Sequence, residues 1–357
     1  MIRRGTRGVA CVALLAATSA AAGDAQLVGR WDDGGRGPIR AVAASGAHAY
    51  VGAGRFLKVL DASSGGSPST IGSLKLPADV TAIALRGAYA YVAASDAGLR
   101  IVDVSDPQVP REVGSCDTPG LASDVAVSGS YAYVADGGSV RIIDVSDPAA
   151  PLEAGSHATV GVASGVAAGG SYAYVAEGVM GLTILDVSHP AVPAKVGAYD
   201  TRGSALGVAI SGSAAYVADG DRGLCIVDVS SPAAPVEAGS WDTPGTASDV
   251  FLAGAHAYVA DDLAGLRIVS VSNPAAPTEV GSYDTIDHAL VVRPQVSPGQ
   301  SQIEVGRLRR LVFSGPQPQS LGMVAGAQAG LLARLDVLDV IMAPASKHSI
   351  ELFHSVS

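Results

Sequence analysis

The sequence predicts an all-β chain, a β-propeller of four-stranded blades, and three observations carry that prediction. The chain has 357 residues, 48% of them apolar and only 16% charged, with 44 Gly and 20 Pro. The tripeptide Tyr-Val-Ala or Tyr-Val-Gly recurs at Tyr50, Tyr91, Tyr133, Tyr174, Tyr216 and Tyr258, at steps of 41 or 42 residues. Within each step four short strand patterns alternate with turn residues, which is the signature of a propeller blade.

Composition sets the outer bounds. Gly and Pro together make up 64 residues, half as much again as the roughly 12% of an average chain. At that density they break helices, so a helical bundle is excluded. The apolar fraction excludes intrinsic disorder. A net charge of −10 and a pI near 5.1 exclude a nucleic-acid binder.

The N-terminus reads as a signal peptide over residues 1–25. Arg3, Arg4 and Arg7 precede the apolar run Gly8–Ala17, and small residues follow from Thr18 to Gly23. This is the three-part pattern of a secretory leader, with cleavage after Ala22 or Ala25. An ordinary first helix or strand is the competing reading, and it leaves the three-part pattern unexplained. Removal of residues 1–25 leaves 20 Lys and Arg against 32 Asp and Glu, a net of −12. The expected location is secreted, periplasmic or cell-surface. No transmembrane span is expected: Leu321–Ala343 is the most apolar later stretch, but Arg334, Asp336 and Asp339 interrupt it. The remaining cysteines, Cys116 and Cys225, lie 109 residues apart at unequal repeat positions and are expected as thiols.

Residues 26–285 carry the repeats. A second marker keeps the period: Asp61, Asp103, Asp144, Asp186 and Asp228, then Ser270. A third is the turn that follows, as in Asp106-Pro107, Asp147-Pro148, His189-Pro190, Ser231-Pro232 and Asn273-Pro274, each with a second Pro three residues on. In the repeat Ser123–Ala158, Asp124–Ser128 reads as strand a and Tyr131–Ala135 as strand b. Asp136-Gly137-Gly138 is a hairpin turn. The β-branched run Val140–Val145 suits a buried strand c, Ser146-Asp147-Pro148 is a turn, and Leu152–His157 is strand d.

The phrases Leu99-Arg100-Ile101-Val102-Asp103, Val140-Arg141-Ile142-Ile143-Asp144 and Leu224-Cys225-Ile226-Val227-Asp228 resemble those of the LVIVD-repeat proteins, a bacterial and archaeal extracellular group. The resemblance covers roughly Ile39–Thr285. It includes the Asp-x-Ser-x-Pro-x-x-Pro turn and the strand d segments Val113-Gly114-Ser115 and Val196-Gly197-Ala198. It implies a surface or secreted propeller and assigns no common activity.

Six strand sets are complete. Leu27–Asp33 matches Glu279–Thr285 and reads as one more strand d, which has a place only if the C-terminus supplies a, b and c, so seven blades closed by an N-terminal strand are expected rather than six. The tail 286–357, a degenerate last blade, offers His288–Val292 as a, Gln302–Phe313 as b and Gly330–Val340 as c.

Candidate sites follow from where the pattern repeats and where it breaks. The Asp ending each strand c sits before the same Ser/Pro turn every time, so capping accounts for it better than metal binding. The basic row Lys58, Arg100, Arg141 and Arg267, interrupted by Thr183 and Cys225, is expected to pair with a neighbouring blade's acid or backbone. Strand order puts the d–a and b–c loops on one face. The d–a loops carry Asp79, Asp117, Asp124, Asp200, Asp242 and Asp249, and the b–c loops Asp136, Glu177, Asp219, Asp221, Asp261 and Asp262. That face is therefore expected to be negative, with Asp79, Asp124 and Asp249 at the start of strand a, ringing the channel mouth as ligand-binding residues. Hard cations such as Ca²⁺ take oxygen ligands of this kind, and Asp219-Gly220-Asp221 is the nearest approach to a calcium loop, with Asp219 and Asp221 as metal ligands. Turn chemistry and solvation are the competing account of the same acids. Trp31, Tyr199, Trp241 and Tyr283 share one strand d position, where packing between blades outweighs an aromatic binding rim.

No nucleophile elbow, zinc-spaced His pair or phosphate loop is present in the sequence. The expected function is a binding or interaction scaffold, a monomer that meets a protein, glycan or cationic ligand through its acidic loop face. The alternative is an extracellular hydrolase or lyase using the same channel mouth.

Overall fold

The computed structural model describes residues 11–17, 25–32, 39–63, 68–283, 292–297, 300–306, 339–340 and 352–353, with side chains for 39–63 and 68–283. All regular structure among the described residues is β. Two N-terminal strands, β1 (Cys11–Ala17) and β2 (Ala25–Asp32), precede the repeats. Blade one is β3 (Ile39–Ser45), β4 (His48–Ala53), β5 (Phe56–Asp61) and β6 (Ser69–Lys75). Blade two is β7 (Ala82–Arg86), β8 (Tyr89–Ala93), β9 (Leu99–Asp103) and β10 (Arg111–Cys116).

Blade three is β11 (Ala122–Ser128), β12 (Tyr131–Asp144) and β13 (Leu152–Ala163). Here β12 supplies both middle positions, and Gly137 turns the chain with a φ of +65° that a side chain would resist. Blade four is β14 (Gly165–Gly169), β15 (Tyr172–Ala176), β16 (Leu182–Asp186) and β17 (Ala194–Tyr199). Blade five is β18 (Gly207–Ser211), β19 (Ala214–Ala218), β20 (Leu224–Asp228) and β21 (Val236–Trp241). Blade six is β22 (Asp249–Ala253), β23 (His256–Ala260), β24 (Leu266–Ser270) and β25 (Thr278–Tyr283).

Every blade is antiparallel and meandering, and the first strands of successive blades touch, so they form the inner ring. Side chains alternate across each blade because the strand period is two. Tyr50 therefore faces blade two, packing with Leu57 and Val59 against Val80, Ile83 and Val92. Val92 in turn belongs to that same interface, while Tyr91 and Ala93 face blade three. Each fully buried Val, Leu or Ile contributes about 1.5–3 kcal/mol, so the blades are held by one another rather than by a central core.

The small residues set the spacing. A Cβ on Gly114 would collide with the Pro148 carbonyl of the next blade's turn, and Gly72, Gly155, Gly197 and Gly239 stand in the same relation to Pro107, Pro190, Pro232 and Pro274. The Gly of strand d and the Pro turn are thus two halves of one inter-blade contact.

A further four-stranded sheet is not a repeat. Its order is β26-β27-β1-β2, with β26 (Val292–Ser297) and β27 (Gln300–Gly306). Its inner strand touches β22 of blade six and β3 of blade one. The N-terminal strand takes the outer place, as its sequence suggests. The third place differs from expectation: Cys11–Ala17 fills it, with Val12–Ala16 facing Gln302–Gly306, and the tail does not. A continuous apolar run is what a strand between two others accommodates. The inner strand begins at Val292, where the predicted His288–Val292 ends, and most of that segment lies outside the described residues.

Residues 1–309 form one compact unit and 310–357 a second. In the second, β28 (Asp339–Val340) pairs with β29 (Leu352–Phe353). The remainder of Gly330–Val340 lies outside the described residues.

Candidate functional site

The repeated aspartates are caps. Asp61, Asp103, Asp144, Asp186 and Asp228 each accept a hydrogen bond at Oδ1 from the amide two residues on, at 2.8–2.9 Å. Those bonds, from Ser63, Ser105, Ser146, Ser188 and Ser230, hold the five carboxyls below the usual aspartate range. They are spent on turns.

Four acids assigned to the loop face are buried instead: Asp136, Glu177, Asp219 and Asp261. Three of them latch one blade to the preceding one. Thr118 donates its hydroxyl to Asp136 at 2.6 Å, and Thr201 and Thr243 do the same to Asp219 and Asp261 at 2.5 Å. Gly120 and Gly245 add their amides to Asp136 and Asp261 at 2.9 Å. Burying a carboxylate is tolerable only with such partners. A signal was present in the sequence: each of these threonines precedes its acid by 18 residues.

The arginine row pairs within its own blade, not with a neighbour as expected. Arg141 joins Asp136 (3.3 Å) to Glu153 (3.2 Å), and Arg267 joins Asp261 (3.8 Å) to Glu279 (3.5 Å). Arg100, in a blade whose second strand ends without an acid, holds Glu112 (3.3 Å) and Asp117 (2.5 Å). The in-blade partner wins because the acid that follows strand b and the glutamate at the second residue of strand d both reach the arginine of strand c.

Blade five breaks this arrangement. Asp219 and Glu237 remain, but Cys225 occupies the arginine's place. The Asp219 Oδ2 is buried with no hydrogen-bond partner. Burial pushes Asp219 up to about 6, against the opposing effects of Thr201 and the nearby Gly203 amide. Burial also pushes the Cys225 thiol up to about 12. Glu237 finds other partners: the Tyr199 hydroxyl donates to it at 2.8 Å and Arg202 approaches to 3.5 Å.

Asp219 and Asp221 therefore do not form the pair expected of a calcium loop. Asp219 is sealed against Thr201, whereas Asp221 is exposed and accepts the Thr246 hydroxyl at 3.0 Å. Among the described residues no group of three His, Cys, Asp or Glu is arranged to hold a metal.

A cavity of about 280 Å³ lies at the channel mouth, lined by residues in, or one position before, the first strands of all six blades. Two repeat positions face it. One carries Arg40, Thr81, Ser123, Ser164, Leu206 and Ser248, the other Ala41, Ala82, Asp124, Gly207 and Asp249, with Gly165 at the equivalent place of blade four outside the lining. The hydroxyls tie the ring: Thr81 Oγ1 reaches the carbonyls of Ala93 and Ala122, and Ser123 Oγ those of Ala135 and Ala163, at 2.7–3.1 Å.

Asp124 and Asp249 are the acids among these lining residues, both half-buried. Asp124 accepts from its own strand at Val125 and from the Val166 amide of blade four, each at 2.9 Å. Asp249 accepts from Val250 at 2.9 Å, and a Cβ on Gly207 would stand only 3.1 Å from its Oδ1. These amides orient both carboxylates. Asp79 is not part of the lining. It lies three residues before β7, exposed in the loop, where blade three has Leu121.

Tyr199, Trp241 and Tyr283 pack against the inter-blade or outer clusters, as a packing role requires. The Trp31 side chain lies outside the described residues. Cys116 is half-buried, Cys225 buried, and both are free thiols. No helix among the described residues is long and apolar enough to cross a membrane.

Solved structures share the fold at low identity. The β-propeller domain of Cps50 (Swd1) from Myceliophteria thermophila is 11% identical with a TM-score of 0.61, covering 76% of this chain and 96% of that one. BamB from Moraxella catarrhalis is 13% identical with a TM-score of 0.52, covering 86% and 93%. A functionally unknown protein from Desulfotomaculum acetoxidans DSM 771 is 12% identical with a TM-score of 0.63, covering 76% and 94%. No curated protein matches the sequence. The LVIVD repeat model matches six times, at residues 36–75, 77–118, 119–159, 160–201, 202–243 and 244–285. Those matches coincide with the six blades and span most of the sequence, so the chain belongs to the LVIVD-repeat family.

Proposed function

We infer that this propeller is a binding scaffold working outside the cytoplasm, and that it receives a cationic organic group, an ammonium or a guanidinium, at the channel mouth. One observation carries the reading: Asp124 and Asp249 break a ring position that is Ala or Gly in the other four blades. Scaffolding recurs in every blade, whereas these two carboxylates do not. Their amide partners fix the direction of both carboxylates at the mouth. Two acids on blades three and six suit a ligand with two basic groups better than a metal, which needs more oxygen ligands than this pair supplies. The N-terminal pattern of residues 1–25 supports export.

The test is thermal melting of the processed protein with a diamine, with arginine amide and with millimolar calcium. The diamine and arginine amide should raise the melting temperature of the wild type but not of Asp124→Asn/Asp249→Asn. A rise with calcium alone would assign the mouth to a metal, and no rise with any of the three would sink the reading. Cell fractionation with mass spectrometry of the mature N-terminus tests export.

A further inference from the structure

The loop face over blade four departs from the repeat in a second way, independent of the channel mouth. Val160, Val162, Val179 and Met180 are 82%, 64%, 69% and 44% exposed. The places of Val160 in other blades hold Pro119, Arg202 and Pro244. Those of Val179 hold Asp96, Asp221 and Leu263, and those of Met180 hold Ala97, Arg222 and Ala264. Four apolar side chains thus stand in water where blades three and four meet, at positions filled mostly by polar or small residues elsewhere. Contiguous exposed apolar surface on a soluble protein marks contact with something else.

These side chains are held out. The strand pairing skips residues 159–162, since Gly137 faces Ala163 and Ser139 faces Ala158. The looped-out segment is pinned by the buried Glu177 of blade four, whose Oε2 accepts the Val160 and Gly161 amides at 3.3 Å each. Thr159 closes it by donating to the Gly161 carbonyl at 2.8 Å. In blades three, five and six this place holds a threonine-to-aspartate latch, so the longer Glu177 and the lifted loop go together. The Val179-Met180 loop is anchored by two Gly178–Ala205 backbone bonds of 2.9 Å. The two loops touch, as a Cβ on Gly161 would meet Met180 Cγ at 2.9 Å.

Charge on either side selects the partner. Beyond blade three, at the end of blade two, Arg100 is shared by two carboxylates, Glu112 and Asp117. Toward blade five, Arg202 is paired with Glu237 beside the exposed Asp200. Each flank has one more acid than base. We propose that this corner docks a peptide segment presenting apolar side chains flanked by lysine or arginine, with the Val160, Val162, Val179 and Met180 surface taking the apolar part. The preformed loops reduce the ordering cost of binding, and the flanking acids supply orientation and salt dependence.

The test is fluorescence anisotropy of the full-length protein with labelled peptides GKKLFKKG, GEELFEEG and GKKSSKKG. GKKLFKKG should bind saturably and weaken with salt, and the other two should bind at least tenfold more weakly. Val179→Asp/Met180→Ala, which copies Asp96-Ala97 of blade two and so keeps the fold, should cost at least tenfold. Asp124→Asn/Asp249→Asn should leave this binding unchanged, which separates it from the channel mouth. No saturable binding, equal binding of GEELFEEG, or no loss in the blade-four variant would overturn the proposal. So would sedimentation showing that the wild type self-associates and the variant does not, since a second copy would then cover the patch.

Discussion

Replacing Cys225 by Arg puts back the cation that blade five lacks. In blades three and six an arginine bridges the acids of the second and fourth strands, but in blade five Asp219 and Glu237 flank a thiol. Asp219 is buried and pushed up to about 6 from an ordinary 3.8. At about 1.4 kcal/mol per pKa unit, ionising it in the folded protein costs about 3 kcal/mol. The sign follows from the raised value. Between pH 4 and 6 the folded form holds this proton more tightly than the unfolded chain. The stability it contributes is therefore complete below about pH 4 and is lost as pH rises through about 6.

Urea unfolding from pH 4 to 7.5 measures this as a difference between variants, which removes the opposite contribution of the five capped aspartates. Asp219→Asn should match the wild type near pH 4 and exceed it at pH 7 by about 2–3 kcal/mol. Cys225→Arg should lose the same pH-dependent fall, with a net gain smaller by about 1 kcal/mol for fitting a longer side chain. Parallel pH profiles for wild type and Asp219→Asn would refute the reasoning.

Gly114→Ala should destabilise by about 2–4 kcal/mol in urea unfolding, because its Cβ has nowhere to go against the Pro148 carbonyl. Gly129→Ala, at a φ of +55° in open space, should cost only about 1 kcal/mol. Thr118→Val should cost about 1–3 kcal/mol by the same measurement, since it leaves the buried Asp136 short of a donor. Export cleavage after Ala25 would remove β1 from the middle of its sheet and leave blades one to six whole. Calorimetry of the full-length and processed proteins should show the same main transition within a few degrees, and its collapse would make β1 indispensable to the ring.

The repeat was legible because three markers in phase are hard to produce any other way, and each proved to be a physical contact. The Asp is a turn cap, the Tyr-Val-Ala is the alternating second strand, and the Pro turn meets a strand d glycine. Direction along the chain was legible too, so Asp124 and Asp249 emerged at the channel mouth. What the sequence concealed was reach. Asp136, Asp219 and Asp261 look like loop acids because Gly follows or lies near them, yet a threonine 18 residues earlier draws them inside. Asp79 looks like Asp124 until the register places it three residues outside the strand. The third strand of the additional sheet came from Cys11–Ala17, because an apolar run read as a leader has equally the makings of a strand.

The most direct measurement is diffraction from crystals of the processed protein grown with a saturating diamine. Ligand density is expected in the channel mouth, with basic groups within hydrogen-bond distance of both Asp124 and Asp249. An empty mouth, or a diamine bound elsewhere with those carboxylates untouched, would contradict it.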